Sequence, residues 1–237
     1  MLVLAFDTSG FSGSVALLDG PRVLESAALD SDRRSAQTLA PAIVRLLADC
    51  GRNPDEVKLV ATTVGPGSFT GLRVGVTTAK TFAYAVGAEV MGVSTLQAMA
   101  HGTPGDWLKD TSEVQAVVDA QRRELFLGRF QHEPVMNEGD GLPRLTRLEP
   151  DRIVPADEWL SELTAGTIVT GTGLAKLFER LPKSILAVPP EMREAQATIV
   201  GRLAWRDYQA GRRDDIWKLA PAYLRPSYAE EKASGRR

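Results

Sequence analysis

The sequence predicts an α/β chain made of two similarly built halves. Three observations carry this. Each half opens on an apolar strand that ends in aspartate, turns, and returns as a second strand: LVLAFDTSGFSGSVALL at 2–18 and VQAVVDAQRRELFLGRF at 114–130. In each half three strands precede an alternation of helix and strand. Between the halves, residues 103–113 are rich in Gly, Pro, Asp and Thr, as in a linker. Three strands followed by alternating helix and strand is the order of the ribonuclease H-like fold. Two copies give the duplicated, two-lobed architecture of actin-like ATPases, a statement about fold that leaves function open.

The elements follow in order. Leu2 to Phe6, Ser14 to Leu18 and Arg22 to Leu29 read as three strands joined by hairpins. Ser35 to Cys50 reads as a helix, because Leu39, Ile43, Leu46 and Leu47 fall at i, i+4, i+7 and i+8. Pro41 either starts that helix or kinks it. Lys58 to Val64 is a strand, GPGSFTG a loop, and a long helix follows to Val86. Glu89 to Val93 is a strand, and Ser94 caps a helix running to His101.

In the second half Val114 to Val118, Leu125 to Phe130 and Arg144 to Val154 are strands. Pro155 to Leu163 is helical, Thr167 to Thr170 a strand, Leu174 to Leu181 a helix, Ile185 to Val188 a strand and Ala195 to Ala210 a last helix. The expected division is a first lobe at 1–102, completed by 195–225, the linker at 103–113, a second lobe at 114–194, and a tail at 226–237.

Bulk properties narrow the function classes. With 237 residues and 43% apolar content the chain can bury an ordinary soluble core. A net charge of −2 argues against a chain that grips nucleic acid by itself. Cys50 is the only cysteine, which excludes an internal disulfide and reads most simply as a small apolar residue. The opening MLVLAFDTSG lacks the basic lead and the length of a signal peptide. No apolar run reaches the roughly 20 residues of a membrane helix. The expectation is a cytoplasmic protein with no membrane contact.

In duplicated ATPases, aspartates at the two hairpins hold a metal and glycine-rich turns approach phosphates. Here the first turn, Thr8 to Gly13, keeps glycines and hydroxyls, but the second, AQRRE at 120–124, has none. A glycine-free turn is expected to resist the positive φ of an anion nest. Asp7, Thr8, Ser9 and Asp119 are therefore read as a vestigial nucleotide cleft, or simply as strand-end turn residues, with no catalytic role. The loop Gly65 to Gly71 is not a Walker A loop, since Leu72 and Arg73 follow it. The two histidines, His101 and His132, form no metal-ligand pattern, so no metal site is expected.

Gly71, Gly75, Ala79, Ala83 and Gly87 recur every four residues and form a bare ridge on the long helix. Such a ridge admits a close neighbour, either inside the lobe or from another chain.

The segment GPGSFTGLRVGVTTAK, Gly65 to Lys80, resembles the signature of the TsaB family, also called YeaZ. LAFDTSG with GSVALL, VSTLQAMA at 93–100, AVVDAQRRELF at 116–126 and PAYLRPSYAEEK at 221–232 resemble further family segments. One departure is Ser35-Ala36-Gln37, where the family often has His-Ser-Gln. The catalytic relative TsaD carries metal-binding histidines on the corresponding helix.

The resemblance implies a non-catalytic subunit that binds and activates TsaD. TsaD transfers threonylcarbamoyl to adenosine 37 of tRNAs reading ANN codons, the t6A modification. It implies the small ATPase TsaE as a further partner, tRNA reached through the complex, and a weak homodimer. It implies no cofactor for the isolated chain and leaves open a nucleotide at the partner interface. The family contact is a helical bundle of first lobes. Residue by residue this points to Leu39, Ile43, Leu46 and Leu47, and to Ser68, Phe69, Gly71, Arg73, Gly75 and Ala79. On that assignment Gly75→Arg is expected to block pairing and leave the fold intact. The rival reading is a small-molecule kinase or hydrolase on an actin-like fold.

Overall fold

The computed structural model describes residues 1–30, 34–108, 112–134 and 139–225. The tail at 226–237 and positions 109–111 of the expected linker lie outside the described residues. The first half folds as β1 (Leu2–Asp7), β2 (Ser14–Asp19), β3 (Arg22–Ala28), α1 (Ser35–Asp49), β4 (Val57–Gly65), α2 (Phe69–Val86), β5 (Glu89–Ser94) and α3 (Thr95–His101). The second gives β6 (Glu113–Asp119), β7 (Glu124–His132), β8 (Leu145–Arg147), β9 (Arg152–Pro155), α4 (Ala156–Glu162), β10 (Ile168–Thr170) and β11 (Leu186–Ala187). The helix α5 (Ala197–Gln209) follows them.

Both sheets have the ribonuclease H-like order. The first runs β3-β2-β1-β4-β5, the second β11-β10-β6-β7-β8, with β9 also pairing β7. In each, the opening hairpin is antiparallel and the later strands lie parallel to the opening one. The duplication expected from the two Asp-ended strands is therefore present in the topology.

β1 is buried along its whole length and feeds two cores. Val3 and Ala5 face one that α3, α5 and the second sheet share; Leu4 and Phe6 face another under α1 and α2. A strand covered on both faces needs apolar residues at every position, which LVLAF supplies. The helix α5 lies against β1, β2 and β4 although it comes from the far end of the chain. Gly201 allows this approach, because a Cβ there would sit 2.5 Å from Leu18 Cδ1.

Two expected elements differ. The strand expected at Arg144 to Val154 is broken into β8 and β9, with Pro150, which has no N–H to give a ladder, between them. The helix expected at Leu174 to Leu181 is two 3-10 turns, Thr172–Lys176 and Phe178–Arg180. The first of these turns is pressed onto β6, where a Cβ on Gly173 would lie 3.1 Å from Val117 O.

After α5 the chain runs back along α2 as a strap. Asp214 Oδ2 accepts from Gly92 N at 2.8 Å, and Lys80 Nζ donates to the carbonyls of Trp217 (3.2 Å) and Leu219 (3.1 Å). Ala222 N donates to Val64 O at 2.7 Å, and Arg73 Nε to Tyr223 Oη at 3.0 Å.

Candidate functional site

The first candidate is the end of β1. Asp7 and Thr8 are completely buried and Ser9 nearly so. Asp7 Oδ1 accepts from Ser9 N (3.1 Å), Ser9 Oγ (2.7 Å) and Thr63 Oγ1 (2.6 Å), while Oδ2 has no hydrogen-bond partner among the described residues. The GPGSFTG loop closes over this turn: Ser68 N donates to Ser9 O at 2.8 Å, and Thr8 Oγ1 donates to Gly71 O at 2.8 Å. The contact is close enough to require glycine, since a Cβ on Gly67 would fall 2.5 Å from Ser9 O. Burial pushes the Asp7 carboxyl up, with the Ser9 and Thr63 hydrogen bonds opposing. Glu194 is also raised, by burial first and then by the charge of Asp7.

Asp119, at the matching end of β6, is partly exposed. Its Oδ2 accepts from Lys176 Nζ at 2.7 Å and its Oδ1 from Gln121 N at 2.7 Å. Burial pushes this carboxyl up, but Lys176 and the Gln121 N–H outweigh it and hold it below the ordinary range. The lysine thus supplies the positive charge that a cation would supply. Among the described residues, no group of three His, Cys, Asp or Glu side chains comes together as a metal site. No helix among them is long and apolar enough to cross a membrane.

The turn between β6 and β7 overturns one expectation. Gln121, Arg122 and Arg123 all have positive φ, at 64°, 55° and 63°. Three consecutive residues with side chains adopt the conformation that the absence of glycine was expected to exclude. Two hydrogen bonds reach this turn from outside it: Ala156 N donates to Arg123 O at 2.9 Å and Arg225 Nη1 to Ala120 O at 2.7 Å.

The second candidate is the outer face of α1 and α2. Leu39, Ile43, Leu46 and Leu47 are buried, and pack α1 onto the strands beneath it. Gly71, Gly75 and Ala79 are buried too. A Cβ on Gly71 would come 1.9 Å from Thr8 O, and one on Gly75 2.4 Å from Thr8 Oγ1. The ridge therefore serves packing inside the lobe, the first of its two readings. The exposed side of α2 is the opposite face.

That face carries Ser68, Phe69 and Arg73, all exposed. The Ser68 side chain caps α2 by accepting from Gly71 N at 3.2 Å, and the Arg73 guanidinium lies 3.7 Å over the Phe69 ring. Between the two helices runs a groove of about 920 Å³, lined by Ala40, Val44, Thr77, Thr81, Phe82 and Ala85, with Ile43 and Leu47 also contributing. Val44 is 69% exposed and Tyr84 70%. Sequence reasoning missed these outer residues. The available signal was Val44, an apolar residue off the buried stripe of α1.

Comparison with known proteins settles the family. The tRNA N6-adenosine threonylcarbamoyltransferase family, TsaD, matches residues 26–141. The TsaB protein of Bacillus subtilis is 32% identical over 164 residues, 69% of this chain and 66% of that one. TsaB of Escherichia coli is 28% identical over 239 residues, the full length of both. YeaZ from Pseudomonas aeruginosa superposes with a TM-score of 0.77 at 28% identity, over 94% of this chain and 99% of that one. The chain belongs to the TsaB (YeaZ) family. Members with that name are tRNA threonylcarbamoyladenosine biosynthesis proteins. As a TsaB-family chain it keeps the duplicated fold, with a closed Asp7 turn and an open helical face on the same lobe.

Proposed function

We propose that this chain serves t6A formation as a non-catalytic subunit that binds and activates TsaD, with its α1–α2 face as the docking surface. The observation that carries this is the exposed apolar groove between α1 and α2. Apolar surface left open and flanked by polar residues favours association, because covering it releases water. Groove residues come from two rigid helices, so a partner helix meets a preformed surface with little ordering cost. By contrast, Asp7 is sealed and Asp119 is paired with Lys176, so neither carboxylate is presented to a metal-bound nucleotide.

Within this reading TsaE joins the TsaB–TsaD pair, tRNA is reached through the complex, and the chain works in the cytoplasm without a cofactor of its own. The same apolar face accounts for a weak homodimer when TsaD is absent. The kinase or hydrolase alternative would require the GPGSFTG loop to lift from Ser9 and Lys176 to leave Asp119.

The test is reconstitution of tRNA modification from TsaD, TsaE, tRNA and threonylcarbamoyl-adenylate, with and without this chain. Modification that depends on the chain, with no ATP turnover by the chain alone, supports the role. Equal modification in its absence rejects it.

A further inference from the structure

The strap at 212–225 touches the α2 face and the turn between β6 and β7. Along α2 it runs antiparallel to the helix. Trp217 packs edge-on against Tyr84, Lys80 holds the carbonyls of Trp217 and Leu219, and Tyr223 stacks on Phe69 while bonding Arg73. One residue beyond Leu224 the chain reaches the other lobe. Arg225 Nη1 donates to Ala120 O at 2.7 Å, and its Nη2 donates to the Glu124 carboxylate.

Ala120 and Glu124 are the two residues that flank the left-handed turn. Ala120 N donates to Glu124 O at 2.9 Å, Glu124 N to Gln121 O at 2.9 Å, and Asp119 Oδ1 accepts from Gln121 N. Non-glycine residues hold positive φ only where their surroundings over-determine it. A guanidinium that grips a carbonyl on one side of the turn and a carboxylate on the other does this, because its planar fork fixes their separation.

We propose that the strap is a clasp: Arg225 holds the Gln121–Arg123 turn in its left-handed shape and links that turn mechanically to the outer face of α2. A partner pressing on Phe69, Arg73 or Tyr84 then presses on the strap, and through Arg225 on the second lobe. The clasp itself stands on the isolated chain. Its coupling to a partner rests on the docking reading given above.

The experiment is amide hydrogen exchange on the full chain and on Arg225→Ala and Arg225→Lys. Arg225→Ala is expected to speed exchange of Gln121 and Glu124 at least tenfold and leave the α2 amides unchanged. Arg225→Lys, which keeps the charge but lacks the fork, is expected to fall between. Exchange at the turn within twofold of wild type in Arg225→Ala would overturn the clasp.

Should Arg225→Ala not fold, Arg225→Lys decides: turn exchange at the wild-type rate overturns the proposal. Adding TsaD is expected to slow exchange at the turn in wild type, and not in the folded Arg225 variant. Protection of α2 by TsaD without any change at the turn overturns the coupling. Absence of TsaD binding counts against the docking reading and leaves the clasp to be judged on the isolated chain.

Discussion

A Cβ placed on Gly75 would lie 2.4 Å from Thr8 Oγ1, closer than two such atoms can approach. It would also lie 2.9 Å from Thr62 Oγ1. Thr8 cannot swing aside, because it is fully buried and its hydroxyl donates to Gly71 O. Gly75→Ala is expected to destabilise the chain by about 3 kcal/mol, the upper part of the overpacking range, read as a lower urea midpoint. Gly75→Arg is expected to yield no folded protein, which replaces the expectation that it would block pairing and leave the fold intact.

A cleaner probe of docking is Val44→Asp. Val44 stands on the outer face of α1, is 69% exposed, and lines the groove. The substitution is expected to leave the melting temperature unchanged and weaken TsaD binding at least tenfold, about 1.4 kcal/mol. Phe178→Asp, at an exposed aromatic on the second lobe, is the control and should bind TsaD normally. Equal affinities for wild type and both variants, measured by calorimetry, would exclude the α1–α2 face.

Stability should fall in mild acid because of His101. Burial pulls its pKa down to about 4, from an ordinary 6.5, with the bond from Nδ1 to Gln97 O opposing and Arg206, Asp140 and Arg147 nearby. The unfolded chain takes up this proton near pH 6.5 and the folded chain only near 4. The contribution is therefore complete above pH 6.5 and lost progressively down to pH 4, on the order of 3 kcal/mol. Asp7 and Glu194, both raised, favour the folded state as pH falls, so the difference between two proteins is the useful quantity. Wild type should lose more unfolding free energy than His101→Gln between pH 7 and pH 4. Parallel losses would show that the histidine is not held neutral.

Arg123 has φ of 63°, which costs a side-chain-bearing residue about 1 kcal/mol. Arg123→Gly is expected to raise stability by about that amount in urea unfolding, while Arg123→Ala should not. A gain in both would assign the effect to the lost arginine side chain rather than to backbone strain.

Much of the fold was legible in the sequence because its signals are local. Alternating and continuous apolar runs marked the strands, the Leu39–Leu47 stripe marked α1 as a helix, and Ser94 caps α3 as its position before that helix predicts. The failures share a cause. The breaks in β8–β9 and in the 172–180 segment come from Pro150 and from contact with Val117, and neither changes the average character of its stretch.

By itself the sequence determined the element order, the duplication, the family resemblance and the absence of a cysteine or histidine cluster. Only the tertiary structure decided which way the small-residue ridge of α2 faces, because the groups that fill its gaps, Thr8 and Thr62, lie elsewhere in the chain. It alone decided that Asp7 is sealed, Asp119 salt-bridged and the AQRRE turn left-handed. Those outcomes depend on Thr63, Lys176 and Arg225, each more than fifty residues from its partner, and no local pattern encodes so distant a contact.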